Sequence, residues 1–272
     1  MADKPIGIFD SGIGGLTVLK EIHRLLPAES TIYLGDTARV PYGIRSSETV
    51  RKYSLQNSMF LMERGIKLLI IACNTSSATS LESIRNVLDI PVLGVIEPGA
   101  KAAAATTRNN RVGVIGTEAT IKSGAYRKAI QNVNRSIEVI EKSCPLFVPL
   151  VEEGWLNDDI TELTARRYLQ EVKDAGIDTL VLGCTHYPLL KDVIKKVMGE
   201  QTVLIDSAIE KAKVVKQILT DLRILKKDTN GTFRKYYVTD STDRFLTVAR
   251  RFLLEPIEDI TTIEIASLEM AT

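Results

Sequence analysis

Two cysteines in this chain stand at the ends of apolar runs. Residues 68–75 are LLIIACNT and residues 179–186 are TLVLGCTH, so Cys73 and Cys184 each lead directly into small polar residues. The runs have the length and the branched aliphatic side chains that are typical of strands buried in a parallel sheet. A thiol at such a strand end could serve as a nucleophile, a metal ligand, a redox group or an acid–base catalyst.

The spacing of possible partner residues argues against several of these uses. A redox pair usually shows Cys-x-x-Cys, which is absent, and three cysteines with two scattered histidines are a poor set for structural zinc. A cysteine phosphatase needs an arginine six residues after its cysteine, where Thr79 and Leu190 stand here. A cysteine hydrolase stays open as an alternative, because His186 could reach Cys73 across a cleft.

Two similar thiols suit one further task particularly well. One thiol removes a proton from one face of a carbon and the other returns a proton to the opposite face, which inverts a stereocentre. Each thiol is then the base in one direction and the acid in the other. A cysteine considered alone is more often a small packing residue, and we expect this of Cys144, which has no counterpart elsewhere in the chain.

The segments around these thiols alternate between strand-like and helix-like patterns. Short apolar runs such as PIGIF, TIYLG, PVLGVI and RVGVIG are separated by amphipathic stretches such as SETVRKYSLQNSMFLMERG and DITELTARRYLQEVKDAG. This alternation predicts an α/β fold with parallel sheets flanked by helices. After Gly231 the pattern is less regular, with FRKYYVT and TTIEIA expected as strands and TDRFLTVARRFL as a helix.

An internal repeat predicts that the fold has two similar lobes. Residues 69–75 align with 180–186, residues 6–11 with 112–117, and residues 95–97 with 204–206, at offsets of 106 to 111 residues. Apolar strands resemble one another, so the inference depends on the shared order and offset of the three matches.

The repeat also predicts where the lobes begin and end. We expect residues 1–97 together with 207–272 to form the first α/β lobe, and residues 98–206 to form the second. Ligands of open parallel sheets lie beyond the carboxyl ends of the strands. Asp10, Cys73, Thr117 and Cys184 all follow strand ends, so facing lobes would place Cys73 and Cys184 in one cleft between them.

Composition limits the classes of partner. The 272 residues carry 35 basic and 34 acidic side chains, for a net charge of +1, with 44% hydrophobic and 25% charged residues. This balance gives no electrostatic reason to expect binding to nucleic acid or to an anionic membrane. The apolar runs are too short to span a bilayer and the N-terminus has no apolar signal core, so we expect a cytoplasmic protein with reduced thiols.

Eight motifs, in order along nearly the whole chain, resemble those of the glutamate racemases in the aspartate/glutamate racemase family. They are GIFDSGIGGLTV (7–18), YLGDTARVPYG (33–43), ACNTSSA (72–78), GVIEPG (94–99), VGVIGTEATIKSGAY (112–126), FVPLVEEG (147–154), LGCTHYPLL (182–190) and LIDSA (204–208). The resemblance implies racemisation between L- and D-glutamate without a cofactor or metal, by two bases. It further implies a supply of D-glutamate for peptidoglycan, and it makes a homodimer plausible.

The resemblance also implies roles for individual residues. Cys73 would act on the D-glutamate face with Asp10 beside it, and Cys184 on the L-glutamate face with His186 and Glu152 beside it. The family match favours Glu152 over the adjacent Glu153. The residues that resemble the family's substrate contacts are Asp10, Ser11, Tyr42, Gly43, Asn74, Thr75, Thr117, Thr185 and His186.

The local sequence suggests how each thiol could be ionised. A free thiol has a pKa of roughly 8.5, so only a few per cent is thiolate at neutral pH. CNTSSA and CTHYPLL each predict a helix start, and we expect a helix N-terminus to point at each thiol. The same amides, with neighbouring hydroxyl groups, offer neutral donors for the carboxylates of a substrate.

Alternatives of two kinds stay open at this point. Related folds act on aspartate or hydantoins, or decarboxylate malonates with a single thiol, and the second cysteine argues against the last of these. Two α/β lobes around a cleft also describe ligand-binding proteins without catalytic activity. Such proteins are often exported and have no need of paired thiols.

Overall fold

The computed structural model describes residues 1–269, and the strands of this part of the chain form two parallel sheets. The first sheet has six strands in the order β10-β9-β2-β1-β3-β4, and the second has four in the order β6-β5-β7-β8. The strands are β1 (Ile6–Asp10), β2 (Thr31–Gly35), β3 (Leu68–Ile71), β4 (Val92–Gly94), β5 (Arg111–Gly116), β6 (Glu138–Ser143), β7 (Thr179–Gly183), β8 (Val203–Asp206), β9 (Arg234–Val238) and β10 (Ile260–Thr262).

Helices connect the strands and cover the sheets. They are α1 (Leu16–Leu25), α2 (Ser47–Met62), α3 (Asn74–Arg85), α4 (Ile96–Thr106), α5 (Glu118–Ser123), α6 (Ala125–Val133), α7 (Phe147–Glu153), α8 (Asp159–Asp174), α9 (Lys191–Met198), α10 (Ser207–Asp221), α11 (Thr242–Leu253) and α12 (Ile265–Glu269). Short 3-10 turns occupy Thr37–Arg39, Tyr42–Ile44 and Tyr187–Leu190. Within residues 1–269 no helix combines the length and the apolar character that a membrane-spanning segment needs.

Each thiol follows a strand that pairs with the strand occurring earliest in the chain among those of its sheet. β1 pairs with β3 so that Phe9 is opposite Ile71, and β5 pairs with β7 so that Gly116 is opposite Gly183. Every residue of β1, β3 and β7 is buried, because helices cover both faces of a parallel sheet. This burial explains why their sequences are unbroken apolar runs. The carboxyl ends of these strands therefore bring Asp10, Cys73 and Cys184 to sheet edges.

The predicted α/β fold with two parallel-sheet lobes is confirmed. The expectation for TTIEIA was only partly right: the strand ends at Thr262, and Ile265 already begins α12. The first sheet takes strands from residues 6–94 and 234–262, and the second takes strands from 111–206. We propose that the chain crosses from one lobe to the other near residues 97 and 206.

A continuous apolar core links the two sheets. One cluster of buried side chains contains Ile8 from β1 and Leu182 from β7, and it extends through Leu16 of α1 and Val215 of α10. The lobes are therefore packed against each other behind the strand ends, which leaves their carboxyl edges to form the walls of a cavity.

Candidate active site

A cavity of about 170 Å³ lies at the carboxyl ends of the two sheets. Both Cys73 and Cys184 line it, and they reach it from different sheets. The other residues in its wall are Ser11, Gly12, Ile13, Val40, Pro41, Tyr42, Gly43, Ile44, Asn74, Thr75, Thr117, Glu118, Pro145, Val148, Pro149, Glu152, Thr185 and His186. All the residues singled out from the sequence are in this wall except Asp10, which lies buried behind it.

Cys73 follows β3 and forms the N-cap of α3, so the helix begins where the sequence predicted. Its thiol lies 3.5 Å from the Ser11 hydroxyl. Burial and the charge of Asp10 raise the pKa of Cys73 to about 11, although the Ser76 amide and the Ser11 hydroxyl act in the opposite direction. The N-terminus of α3 lies at this thiol as expected, but burial outweighs the effect of its amides on the pKa. Cys73 is a neutral thiol, ready to donate a proton.

Asp10 is fully buried at the end of β1. Its Oδ2 accepts a hydrogen bond of 2.9 Å from the Gly12 amide, while its Oδ1 has no protein partner within the described residues. Burial raises the pKa of this carboxyl, against the charge of His186 and the amides of Gly15, Gly12 and Ser11. The carboxyl is thus placed to influence Cys73 without itself reaching the cavity.

Cys184 has a different set of neighbours. Its thiol lies 3.9 Å from Nδ1 of His186, and Nε2 of the same ring lies 3.1 Å from Oε1 of Glu152. Burial disfavours the charged imidazole, but the interactions with Cys184 and Glu152 prevail and raise the pKa of His186 to about 10. The hydrogen bond to His186 also lowers the pKa of Glu152. The imidazolium of His186 thus lies between the carboxylate of Glu152 and the sulfur of Cys184.

The helix expected directly after Cys184 is short and displaced. A 3-10 turn begins at Tyr187 with His186 at its N-cap, and α9 begins only at Lys191. The imidazole of His186, rather than a helix N-terminus, is the positive group that faces this thiol.

Neutral hydrogen-bonding groups line the cavity between the two thiols. Oδ1 of Asn74 accepts a hydrogen bond of 2.7 Å from Tyr126, while its Nδ2 is buried and lacks a protein partner within residues 1–269. The hydroxyl groups of Thr75 and Thr117 are 2.9 Å apart. A buried donor without a partner is costly, so Nδ2 of Asn74 is well suited to a carboxylate oxygen of a ligand.

Tyr42 contributes a wall rather than a free hydroxyl group. Its hydroxyl donates to Asp36, and the same carboxylate accepts a hydrogen bond of 2.7 Å from Arg39. Arg39 also donates to Gln56 and Asn57 on α2. This buried network fixes the loop after β2, so that Tyr42 packs against Cys73 and Gly43 lies close to Thr117.

Sequence reasoning missed several residues of the cavity wall. They are Gly12, Ile13, Val40, Pro41, Ile44, Glu118, Pro145, Val148 and Pro149. Most of them are apolar and carry no group that could react, so their residue types give no signal. Their positions beside motif residues, as in VPYG and FVPLVEEG, are the only hint in the sequence. Within the described residues, no group of three or more His, Cys, Asp or Glu side chains is arranged to hold a metal ion.

The unlike surroundings of the thiols predict an order of alkylation by iodoacetamide at neutral pH. We expect Cys184 to be labelled first, Cys73 more slowly and Cys144 last. Cys73 and Cys184 are about equally exposed, at 6% and 5%, so the charge of His186 decides between them, whereas Cys144 is fully buried and its pKa is raised to about 12. Mass spectrometry of peptides after timed labelling gives the three rates.

The pH dependence of labelling provides the control. Because only the thiolate reacts, Cys73 labelling should rise roughly tenfold per pH unit until the pH approaches its pKa of about 11. Equal rates for Cys73 and Cys184 at neutral pH would contradict the expected effect of the His186 charge on Cys184.

Comparisons with known proteins give matches over most of the chain. Residues 6–214 match the family model described as Asp/Glu/Hydantoin racemase. A glutamate racemase from Geobacter metallireducens is 56% identical over 257 residues, covering 94% of this chain and 95% of the relative. The crystal structure of a glutamate racemase isoform from Bacillus anthracis superposes with a TM-score of 0.94 at 38% identity, covering 97% of this chain and 99% of that one. The crystal structure of the Francisella tularensis glutamate racemase in complex with D-glutamate gives a TM-score of 0.92 at 39% identity. The match covers 98% of this chain and 100% of that one.

Proposed function

The chain belongs to the Asp/Glu/hydantoin racemase family, and we propose that it interconverts L- and D-glutamate through proton transfer at Cα by Cys73 and Cys184. It is an amino-acid racemase, and glutamate is the substrate named for its relatives at 47 to 56% identity. The observation that carries the two-base proposal is that two thiols from different sheets line one cavity.

The proposed reaction in the L-to-D direction begins at Cys184. Its thiolate, paired with the imidazolium of His186, removes the α-proton of L-glutamate and becomes a thiol. The neutral thiol of Cys73 then delivers its own proton to the opposite face of the carbanion and becomes a thiolate. The enzyme is then left with a thiol at Cys184 and a thiolate at Cys73, the form that acts on D-glutamate in the reverse direction. Loss of a proton from Cys184 to solvent and gain of one by Cys73 restore the starting form, so the net reaction neither consumes nor releases a proton.

The cavity wall supports the charge that this reaction develops. Deprotonation at Cα creates negative charge next to the α-carboxylate, and fixed neutral donors such as Nδ2 of Asn74 can stabilise it. Cys73 and Cys184 are almost completely buried, so a bound substrate would exclude water from both sulfur atoms. Neutral donors can bind the carboxylates of substrate and product without the stronger attraction of a cationic side chain, which would slow release of the product.

The wider role remains part of the proposal. We assign the chain to the supply of D-glutamate for peptidoglycan, in the cytoplasm, without a cofactor and as a possible homodimer. The proposal is supported by sequence identity of 53 to 56% to relatives named as glutamate racemases, over most of their length. Of the residues placed at the site, Asp10 would act on Cys73, His186 and Glu152 would act on Cys184, and Ser11, Tyr42, Gly43, Asn74, Thr75, Thr117 and Thr185 would contact the substrate.

One experiment tests the proposed activity directly. Purified, reduced protein is incubated with L-glutamate in D₂O without added cofactor and followed by proton NMR and optical rotation. We expect the Cα proton signal to disappear while the rotation decays to zero. Loss of the proton with retained rotation would mean that only one face exchanges, and no exchange in folded protein would exclude glutamate as the substrate. L-Aspartate, tested in parallel, measures selectivity.

A further inference from the structure

Tyr126 is the last residue of the motif VGVIGTEATIKSGAY, and the proposed reaction gives it no role. Its side chain is fully buried and does not line the cavity that contains the thiols. Its hydroxyl group nevertheless donates a hydrogen bond of 2.7 Å to Oδ1 of Asn74, which belongs to the cavity wall. Tyr126 lies on α6, between two strands of the second sheet, whereas Asn74 begins α3, between two strands of the first. The hydrogen bond therefore joins the two halves of the site.

The carboxamide of Asn74 has two ends of opposite hydrogen-bonding character. The oxygen can only accept hydrogen bonds and the NH₂ group can only donate them, so the orientation of the group decides what it offers to a ligand. With Oδ1 occupied by Tyr126, the end left for a ligand is Nδ2, which is buried and has no protein partner within residues 1–269. The reversed carboxamide would present an oxygen, which repels a carboxylate.

The surroundings of Tyr126 make it the donor in this hydrogen bond. Burial raises the pKa of its hydroxyl group, so the group is protonated at neutral pH. Ser207, the first residue of α10, also interacts with the phenolic oxygen and acts to lower this pKa, which is the effect of a hydroxyl group that donates to that oxygen. The proton of Tyr126 is then left for Asn74. The hydrogen bonds run in one direction, from Ser207 through Tyr126 to Asn74.

The ring of Tyr126 is held by close packing around the second sheet. A methyl group at Gly183, the residue before Cys184, would stand 3.0 Å from Cε2 of the ring, so the strand end leaves room for the ring only because it has no side chain there. The ring belongs to a cluster of buried apolar side chains that includes Val181 of β7 and Ala100 of α4. The position of the hydroxyl group is therefore fixed by the second sheet and its helices.

We propose that Tyr126 is a positioning residue for the substrate, which holds the carboxamide of Asn74 so that Nδ2 donates to a carboxylate of glutamate. The identity of the substrate in this inference rests on the proposed function above. Tyr126 touches no reacting atom and acts through Asn74. Because the two residues lie on helices of different sheets, the donor has the correct orientation only when these helices are packed together. Contact between the two halves of the molecule thus completes the binding site.

Tyr126→Phe tests the proposal because it removes the hydroxyl group and keeps the ring. Glutarate is a suitable probe, since it has both carboxylates of glutamate but lacks the amino group and cannot be racemised. We expect the dissociation constant of glutarate to rise roughly tenfold, as for loss of one hydrogen bond to a charged group. KM for both enantiomers of glutamate should rise by a similar factor, with a smaller change in kcat. Ligand-observed NMR measures glutarate binding, and steady-state kinetics measures KM and kcat.

A double-mutant cycle shows whether Tyr126 acts through Asn74. Asn74→Ala removes the carboxamide, so adding Tyr126→Phe to it should weaken glutarate binding little further. Tyr187→Phe is the matched control, because Tyr187 is also fully buried and its hydroxyl group donates a hydrogen bond of 2.8 Å to the backbone oxygen of Cys144, outside the cavity wall. It should leave glutarate binding and KM unchanged. Thermal unfolding shows that each variant is folded.

The outcomes separate this inference from the proposed function. Unchanged glutarate binding in folded Tyr126→Phe would overturn the positioning role. An equal loss of binding in the presence and absence of the Asn74 carboxamide, or an equal loss in Tyr187→Phe, would also overturn it. If Tyr126→Phe does not fold, Ser207→Ala decides, because it removes only the hydroxyl group that faces Tyr126 and should still weaken glutarate binding.

The unchanged protein provides the remaining comparison. If it does not bind glutarate, Asn74 is not a carboxylate donor and the inference is wrong. If it binds glutarate, responds to the variants as expected and inverts neither enantiomer of glutamate, the proposed function is wrong and the role of Tyr126 stands.

Discussion

Cys73→Ala and Cys184→Ala are each expected to abolish inversion of glutamate, with a fall in racemisation rate of about 10² to 10⁴-fold or more, as is typical for loss of an acid–base catalyst. Each thiol is proposed to serve one face of Cα, so the remaining thiol cannot complete the reaction alone. Cys73→Ala should still exchange the α-proton of L-glutamate through Cys184, without inversion. Cys184→Ala should do the same only with D-glutamate. Proton NMR in D₂O combined with chiral separation distinguishes exchange from inversion.

Cys144→Ala is the control for both variants. Cys144 is fully buried and lies outside the cavity wall, so its loss should leave racemisation in place. If either Cys73→Ala or Cys184→Ala kept full turnover, the two-base mechanism would be wrong. If both variants exchanged the same enantiomer, the assignment of one thiol to each face would be wrong, although both could still be needed.

Gly14→Ala should lower activity by roughly 100-fold, because a displacement of about 1 Å at reacting groups can have this effect. A methyl group at position 14 would stand 2.5 Å from Nδ1 of His186 and closer still to Oγ1 of Thr185. Both side chains would have to move, and Nδ1 is the atom that faces Cys184. The substitution thus disturbs the charge pair at Cys184 without removing any functional group. Steady-state kinetics with each enantiomer measures the loss.

A second glycine supplies the matched control. Gly99 lies in α4, and a methyl group there would make only an ordinary contact of 3.4 Å with Ser207. Alanine is favoured over glycine inside helices by up to about 1 kcal/mol, so Gly99→Ala should be neutral or slightly stabilising. Thermal unfolding of both variants shows whether Gly14→Ala is folded. Wild-type activity in folded Gly14→Ala would mean that the position of His186 is not critical.

The fold could be read from the sequence because strands such as β1, β3 and β7 are buried on both faces. Runs such as IGIF and LVLG have no polar position to confuse the pattern, and the repeat at offsets near 110 residues indicated two lobes. The end of the chain was read less well. TTIEIA has the alternation of a strand, but after three strand residues the chain turns and forms α12 against α2, which local pattern cannot foresee.

The candidate site was predictable where residues are reactive and follow strands. Cys73, Cys184, Thr117 and Thr185 illustrate this, since topology alone sends them to the carboxyl edges of the two sheets. The charge states were not predictable, because they depend on burial and on groups distant in sequence. α3 begins at Cys73 as expected, yet burial and the charge of Asp10 raise the pKa of this thiol to about 11.

Side-chain direction was also beyond the sequence. Tyr42 is in the cavity wall as expected, but its hydroxyl is turned away and donates to Asp36. Arg244 approaches Glu152 from a helix almost a hundred residues away, and nothing in TDRFLTVARRFL marks it as a neighbour of the site. Such contacts arise only when α11 packs against α1 in the folded chain.

The unlike neighbours of the two thiols have a kinetic consequence that follows from thermodynamics. L- and D-glutamate have identical free energies in an achiral solvent, so the equilibrium constant of the proposed reaction is unity whatever surrounds the sulfur atoms. The ratio kcat/KM must then be the same in both directions. A carboxyl beside Cys73 and an imidazolium beside Cys184 can only change kcat and KM together, so the enantiomer with the faster maximal turnover must also have the higher KM, by the same factor. The asymmetry therefore sets the concentration range in which each enantiomer is processed fastest, and it cannot bias the final mixture.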